Sequence, residues 1–222
     1  NVAAQSIIKP PMYSTHNEPS VISEWHSRDN NDMWFDSLNM KYIGNWPFGT
    51  PFAVAQDTVR DLIFCGSGGG VYIIDLSNPT QPAMLSEAIR TRGRSVYELY
   101  YQSTTQRLYI ADGYMWKNDI WDVSDPMSPV KLGSWNTQFF ARDIVASDTL
   151  AFVADAAAGL RIINVADPSN PFEVGFHLTP DYMKGIAVHD SLAYAAVDAA
   201  GLHIINIADP TNPFGKRWQV LT

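Results

Sequence analysis

Four charged residues have types and positions that would suit acid–base chemistry. They are Glu98, Arg142, Asp143 and Lys184, and each lies at or beside the start of an apolar run. A pair of carboxyl groups supplies a general acid and a general base, and an adjacent cation stabilises developing negative charge. Ordinary solvation of strand ends is the structural interpretation of the same residues. The group therefore supports an enzymatic alternative, a glycan lyase or hydrolase, without establishing it.

Other catalytic motifs do not occur in the sequence. No Gly-x-Ser-x-Gly, His-Glu-x-x-His or Walker A segment occurs, and the five histidines are scattered. The glycine run at 66–70 connects two apolar runs, which favours a hairpin turn over a phosphate-binding loop. The single cysteine, Cys65, excludes an intrachain disulfide and a zinc site of the Cys₄ or Cys₂His₂ kind. Its apolar neighbours predict that it is buried.

Asp and Asn alternate at one recurring position, four residues before a proline. The positions are Asp75, Asp122, Asn164 and Asn206, followed by Pro79, Pro126, Pro168 and Pro210. Both side chains accept a backbone N–H bond in a turn, whereas only Asp carries charge, so the interchange favours turn formation. No cofactor is predicted. Calcium held by loop carboxylates is the alternative, although the sequence has no dense Asp-x-Asp-x-Asp loop.

Three further residues are candidate partner contacts. Arg92 and Arg94 form a basic segment in an otherwise acidic chain, and a solvated loop is the alternative interpretation of both. Trp116 lies in a loop where related segments of the chain have only small residues, which predicts an exposed aromatic contact.

Charge and hydropathy narrow the classes of partner. The 222 residues include 23 acidic and 15 basic side chains, for a net charge of −8. A phosphate backbone would be repelled, so no nucleic-acid partner is expected. No apolar run reaches the roughly 18–20 residues that a membrane-spanning helix needs. Frequent Gly, Pro and aromatic residues favour β-structure with many turns.

A repeat organises the chain. Residues 159–171 and 201–213 share the pattern Gly-Leu-x-Ile-Ile-Asn-x-Ala-Asp-Pro-x-Asn-Pro at an offset of 42 positions. A third copy spans 70–82, and a degenerate fourth without the glycine spans 117–129. Each unit reads as four short strands, and a repeat of about 42 residues with four antiparallel strands is typical of a β-propeller blade. The predicted fold class is therefore all-β, with units at about 47–88, 89–135, 136–177 and 178–222.

Two glycines mark the turn before the third strand of their units. Gly159 and Gly201 occupy the same repeat position, where a turn with positive φ would disfavour any side chain. They are predicted to be structural turn residues.

The units resemble the LVIVD repeat, whose pattern runs approximately Tyr-Val-Ala-Asp, a small-residue turn, and Gly-Leu-x-Ile-Ile-Asp-Val-Ser-Asp-Pro-x-x-Pro. Phe152-Val153-Ala154-Asp155 matches the first part, and the four copies above match the second. The resemblance implies a bacterial or archaeal propeller-type protein that is secreted or held at the cell surface after removal of a leader. The leading hypothesis is a non-enzymatic interaction, adhesion or assembly module, with a protein, a glycan or copies of itself as partner.

The predicted strands do not close a ring. Residues 1–39 differ from the repeats and are predicted to form an extended arm, and the repeat region spans 40–222. Lys41–Trp46 reads as an additional outer strand, so the chain has five outer strands, ending with Phe214–Val220, for four inner triplets. An unpaired edge invites strand addition, so we expect a larger propeller or one completed by a neighbour.

Overall fold

The fold is a series of four antiparallel sheets, each with four strands hydrogen-bonded in chain order. It is seen in a computed structural model that describes residues 51–91, 95–112, 116–147 and 149–216. All of these belong to the second of two compact units, Gly44–Thr222. The predicted all-β propeller class is confirmed. None of the helices in the described ranges combines the length and the apolar character needed to span a membrane.

The sheets are the blades of the repeat and are numbered in chain order. Blade 1 contains β1 (Pro51–Asp57), β2 (Leu62–Ser67), β3 (Gly70–Asp75) and β4 (Ala83–Arg90). Blade 2 contains β5 (Val96–Gln102), β6 (Arg107–Asp112), β7 (Lys117–Asp122) and β8 (Val130–Asn136). Blade 3 contains β9 (Asp143–Ala146), β10 (Leu150–Ala154), β11 (Leu160–Asn164) and β12 (Phe172–His177). Blade 4 contains β13 (Met183–His189), β14 (Leu192–Val197), β15 (Gly201–Asn206) and β16 (Phe214–Lys216), with a 3₁₀ turn at Asp198–Ala200.

Several predicted segments lie outside the described residues. These are the arm at 1–39, the additional strand Lys41–Trp46, the arginines Arg92 and Arg94, and the part of Phe214–Val220 that follows Lys216.

One side-chain hydrogen bond ends the third strand of every blade. In each case a side-chain Oδ1 accepts from the backbone N–H two residues further on. The acceptors are Asp75, Asp122, Asn164 and Asn206, at 2.7, 2.8, 3.1 and 3.0 Å. Asp and Asn share this acceptor, which gives the physical reason for their interchange. Pro79, Pro126, Pro168 and Pro210 follow in the same turns.

The core lies between the blades rather than within one of them. Buried apolar side chains form three clusters, each shared by one blade and the next. The cluster between blades 1 and 2 includes Phe64 and Leu108, and the cluster between blades 2 and 3 includes Tyr109 and Val153. The inner strands of blades 2 and 3 are buried on both faces because each face meets a neighbouring sheet. Cys65 is buried, as predicted, and burial raises the pKa of its thiol.

The outer strands pack closely against the following blade. A Cβ atom placed on Gly133 would collide with the carbonyl oxygen of Pro168 in blade 3. A Cβ atom on Gly175 would collide in the same way with the carbonyl oxygen of Pro210 in blade 4. The proline turns therefore also serve as contacts between blades.

Candidate interaction surface

The first strands of the blades lie side by side and bring one repeat position to a common surface. Strand β5 contacts β1 and β9, and β9 contacts β13. Irregular pairing at the start of β1, β5 and β13 leaves Phe52, Tyr97 and Lys184 outside the ladder. Arg142, directly before β9, holds the corresponding position. A bulge redirects the side chain of its unpaired residue, and here it places aromatic and cationic groups at the end of the strands.

Aromatic rings and one guanidinium form a continuous chain of contacts at this end. The guanidinium carbon of Arg142 lies 4.9 Å from the centre of the Tyr97 ring and 6.0 Å from the centre of the Phe140 ring. Phe140 in turn meets the ring of Trp116 edge-on at 6.5 Å, and Tyr97 meets Phe52 at 6.1 Å. We call these five residues the mouth surface. It unites two predicted partner contacts, Arg142 and Trp116.

The mouth surface is open to solvent. Phe52 is 55% and Trp116 50% exposed, Arg142 is exposed, and Tyr97 and Phe140 are half-buried. Trp116 has a positive φ of 54°, and its carbonyl oxygen accepts the backbone N–H of Thr137 at 2.8 Å. This bond ties the backbone of Trp116 to the residue that follows β8. Contiguous exposed aromatic side chains commonly mark an interaction site.

The two predicted carboxyl groups each lie next to a mouth-surface residue in the chain. Glu98 directly follows Tyr97, and Asp143 directly follows Arg142. Glu98 accepts the backbone N–H of Leu99 at 3.0 Å. Asp143 accepts the N–H of Ile144 and, across to blade 4, the N–H of Ile186, both at 2.7 Å. Burial raises the pKa of both carboxyl groups, and the negative charge of Asp143 raises that of Glu98 further. Asp143 therefore links the first strands of blades 3 and 4.

Lys184 has a different environment from Arg142 despite the shared repeat position. Its ammonium nitrogen lies 2.9 Å from a carboxylate oxygen of Asp198, and both side chains are largely exposed. Such a surface pair contributes little to stability. The structure does not bring Lys184 into the chain of ring contacts.

A buried carboxyl group supports the segment that carries Phe140. Asp155 is fully buried and accepts the backbone N–H groups of Gln138 and Phe139 at 2.9 and 3.0 Å. Burial raises the pKa of Asp155 to about 6. Arg161 lies nearby, with its Nε atom 3.9 Å from Asp155 and its guanidinium carbon 4.8 Å from the centre of the Phe176 ring. Asp155 is thus a positioning residue for the mouth surface.

Three members of the mouth surface were not predicted: Phe52, Tyr97 and Phe140. Phe52 and Tyr97 hold the repeat position of Arg142, so alignment of the first strands would have indicated them. Phe140 lies between β8 and β9, and Tyr182 holds the same repeat position 42 residues later, so a comparison of these two units would have indicated an aromatic residue there. Within the described ranges, no three His, Cys, Asp or Glu side chains gather in a way that would hold a metal ion.

Comparisons with known proteins agree with this architecture. The family model of the LVIVD repeat matches residues 63–88, 108–137, 140–179 and 182–217, together more than half of the chain. Among solved structures, the computationally designed protein Ika4 is similar with a TM-score of 0.59 at 10% identity, over 71% of this chain and 91% of Ika4. The designed Ika8 is similar with a TM-score of 0.59 at 10% identity, over 72% of this chain and 46% of Ika8. The search of curated proteins found no match.

Proposed function

The chain belongs to the LVIVD-repeat proteins, and from this premise we propose that it is a non-enzymatic binding module that takes a protein partner through the mouth surface. The family assignment supports a propeller module, and a propeller fold alone is compatible with many functions. The proposed role therefore rests on the surface itself.

The observation that carries the proposal is the exposed Arg142 guanidinium between Tyr97 and Phe140, at 4.9 and 6.0 Å from the two ring centres. Trp, Tyr and Arg are the residue types most enriched among residues that dominate the free energy of protein–protein binding. Interfaces as a whole are enriched in aromatic residues and Arg. The mouth surface has this composition, and the ring contacts restrict the guanidinium before a partner arrives.

The rival function is that of a glycan lyase or hydrolase using Glu98 and Asp143 with Arg142. The raised pKa values of the two carboxyl groups favour it, because a general acid must hold a proton near neutral pH. Their oxygen atoms, however, accept backbone N–H groups of β5, β9 and β13, which is a structural use. Release of new reducing ends from uronate-containing glycans, lost in Glu98→Gln, would establish the rival.

We further propose that the module acts outside the cell or at its surface, and the family resemblance supports this proposal. Labelling of intact source cells with a membrane-impermeant amine reagent tests this proposal. Modification of the chain in intact cells supports it, and modification only after lysis contradicts it.

A photo-crosslinking experiment tests the binding function. The photoreactive residue p-benzoylphenylalanine replaces Trp116 in one variant. In a control variant it replaces Val59, which is 84% exposed in the turn between β1 and β2. Both variants are irradiated with the extracellular and surface proteins of the source organism. The proposal predicts a discrete adduct from position 116 and none from position 59. No adduct at 116, or the same adducts at both positions, would contradict it.

A further inference from the structure

One repeat position is buried in blade 3 and exposed in blade 4. Leu160 on β11 pairs with Ala154 and is 0% exposed, whereas Leu202 on β15 pairs in the same register with Ala196 and is 65% exposed. Ile162, fully buried in blade 3, likewise corresponds to the half-buried Ile204. In blades 1 to 3 the next blade covers the equivalent face. Blade 4 presents this apolar face to solvent.

Blade 1 shows the complementary exposure on its opposite face. Leu99, Ile144 and Ile186 hold one register position on β5, β9 and β13, and they are 4%, 1% and 7% exposed. Val54 holds that position on β1 and is 58% exposed. In blades 2 to 4 this side chain packs against the preceding blade, and blade 1 offers the same face to solvent.

The described strands form an open arc. Four blades share three apolar clusters, whereas a closed ring would have as many interfaces as blades. Among the strands that the structure describes, β13 and β1 lack the extended contact that joins β1 to β5, β5 to β9 and β9 to β13. The Leu202 face and the Val54 face are therefore the two ends of one interrupted series of interfaces.

We propose that the Leu202 face of blade 4 docks against the Val54 face of blade 1 in a second copy of this chain. The described blades form the same interface three times, and one unmatched half remains at each end of the described series. The Leu202 face is the repeat equivalent of a face that packs against the next blade within the chain, and the Val54 face is the equivalent of the surface that receives it. Such a head-to-tail contact is heterologous, so the resulting assembly is either a closed ring of copies or an open filament. Its test is the oligomeric state of the chain, whereas the mouth surface is tested by crosslinking to a partner, so failure of one proposal can be distinguished from failure of the other.

The oligomeric state of the full 222-residue chain tests the inference, measured by sedimentation velocity between about 1 and 50 µM. The proposal predicts association of the wild-type chain. Leu202→Asp and Val54→Asp should each reduce it to monomer, because either one buries a charge in the contact. The control Met127→Asp, at a side chain that is 68% exposed in the turn between β7 and β8, should associate like the wild type.

Mixing the Leu202→Asp and Val54→Asp variants is the decisive experiment. A Leu202→Asp chain keeps an intact blade-1 face, and a Val54→Asp chain keeps an intact blade-4 face. An equimolar mixture should therefore form a 1:1 complex of two chains. Circular dichroism verifies folding, and Leu202→Asn and Val54→Asn replace any Asp variant that fails to fold. A monomeric wild type, with the faces covered by the chain itself, would overturn the proposal. Association of Val54→Asp alone, or a mixture that stays monomeric, would also overturn it.

Discussion

Tyr97 and Arg142 occupy the same repeat position on neighbouring blades, and the guanidinium carbon of Arg142 lies 4.9 Å from the centre of the Tyr97 ring. The quadrupole of the ring attracts the cation and restricts a long side chain that would otherwise move freely in solvent. Restriction before binding lowers the entropy cost of forming a complex. The contact explains how an exposed arginine can act as a fixed anchor in the proposed interface.

The two turn glycines should differ in their tolerance of a side chain. Gly159 and Gly201 have φ values of 73° and 76°. A Cβ on Gly159 would collide with the carbonyl oxygen of His177, whereas a Cβ on Gly201 would meet no atom within 4 Å. We expect Gly201→Ala to cost about 1–2 kcal/mol from its backbone conformation. Gly159→Ala should cost a further 1–3 kcal/mol, roughly, from the collision. Urea unfolding measures both, and equal losses would contradict the placement of the His177 carbonyl.

Asp57 should stabilise the contact between blades 1 and 2. Its carboxylate accepts the hydroxyl of Tyr101 at 2.7 Å and the backbone N–H of Val59 at 3.0 Å, and it pairs with Arg60. Although burial opposes the charged form, these hydrogen bonds lower the pKa of Asp57 to about 2. At pH 7, Asp57→Asn should lower the free energy of unfolding by about 2 kcal/mol.

The pH dependence of that loss follows from the lowered pKa. A depressed carboxyl pKa contributes stability that is present above pH 4 and disappears as pH falls towards 2. The difference between the wild type and Asp57→Asn should shrink over this range, and denaturant unfolding at several pH values measures it. A loss from Asp57→Asn that is the same at pH 2 and pH 7 would contradict the hydrogen-bonded carboxylate.

Asp155 should give the opposite pH dependence. Burial raises its pKa to about 6, so between pH 4 and 6 the folded chain holds a proton that the unfolded chain has released. The free energy of unfolding should therefore fall as pH rises from 4 to 6, and this fall should be absent in Asp155→Asn. The ¹³C chemical shift of the Asp155 carboxyl group reports its titration directly. A midpoint below pH 4 would contradict the buried position.

Chelation should leave stability unchanged. We expect EDTA to cause no shift in the thermal midpoint, because the described residues include no metal-binding cluster of His, Cys, Asp or Glu. A saturating structural Ca²⁺ would contribute roughly 3–4 kcal/mol by linkage. A drop of several degrees, restored by added Ca²⁺, would indicate carboxylate ligands such as Asp112 or Asp155.

The repeat made the blades predictable, whereas the contacts between blades were much less so. The Asp–Asn interchange at Asp75 and Asn164 indicated a turn because one side-chain oxygen serves in both. Glu98 and Asp143 were predicted as polar strand-end residues, but their hydrogen bonds depend on how neighbouring blades are placed. Phe140 lies in the connection before β9, and its contact with Arg142 depends on how that connection folds against the strand. The exposure of Leu202 is likewise a property of its position in the arc, since its repeat equivalent Leu160 is buried.

The affinity of the partner captured at position 116 tests the proposed function most directly. Isothermal titration would compare the wild type with Trp116→Ala and Arg142→Ala, and with Lys184→Ala as the control at the same repeat position. Loss of a residue that dominates binding costs about 2 kcal/mol or more, which corresponds to a dissociation constant about 30-fold higher. We predict that loss for Trp116→Ala and Arg142→Ala, and a change below about twofold for Lys184→Ala because its ammonium pairs with Asp198. Wild-type affinity in the Arg142→Ala chain would contradict the mouth surface as the binding site.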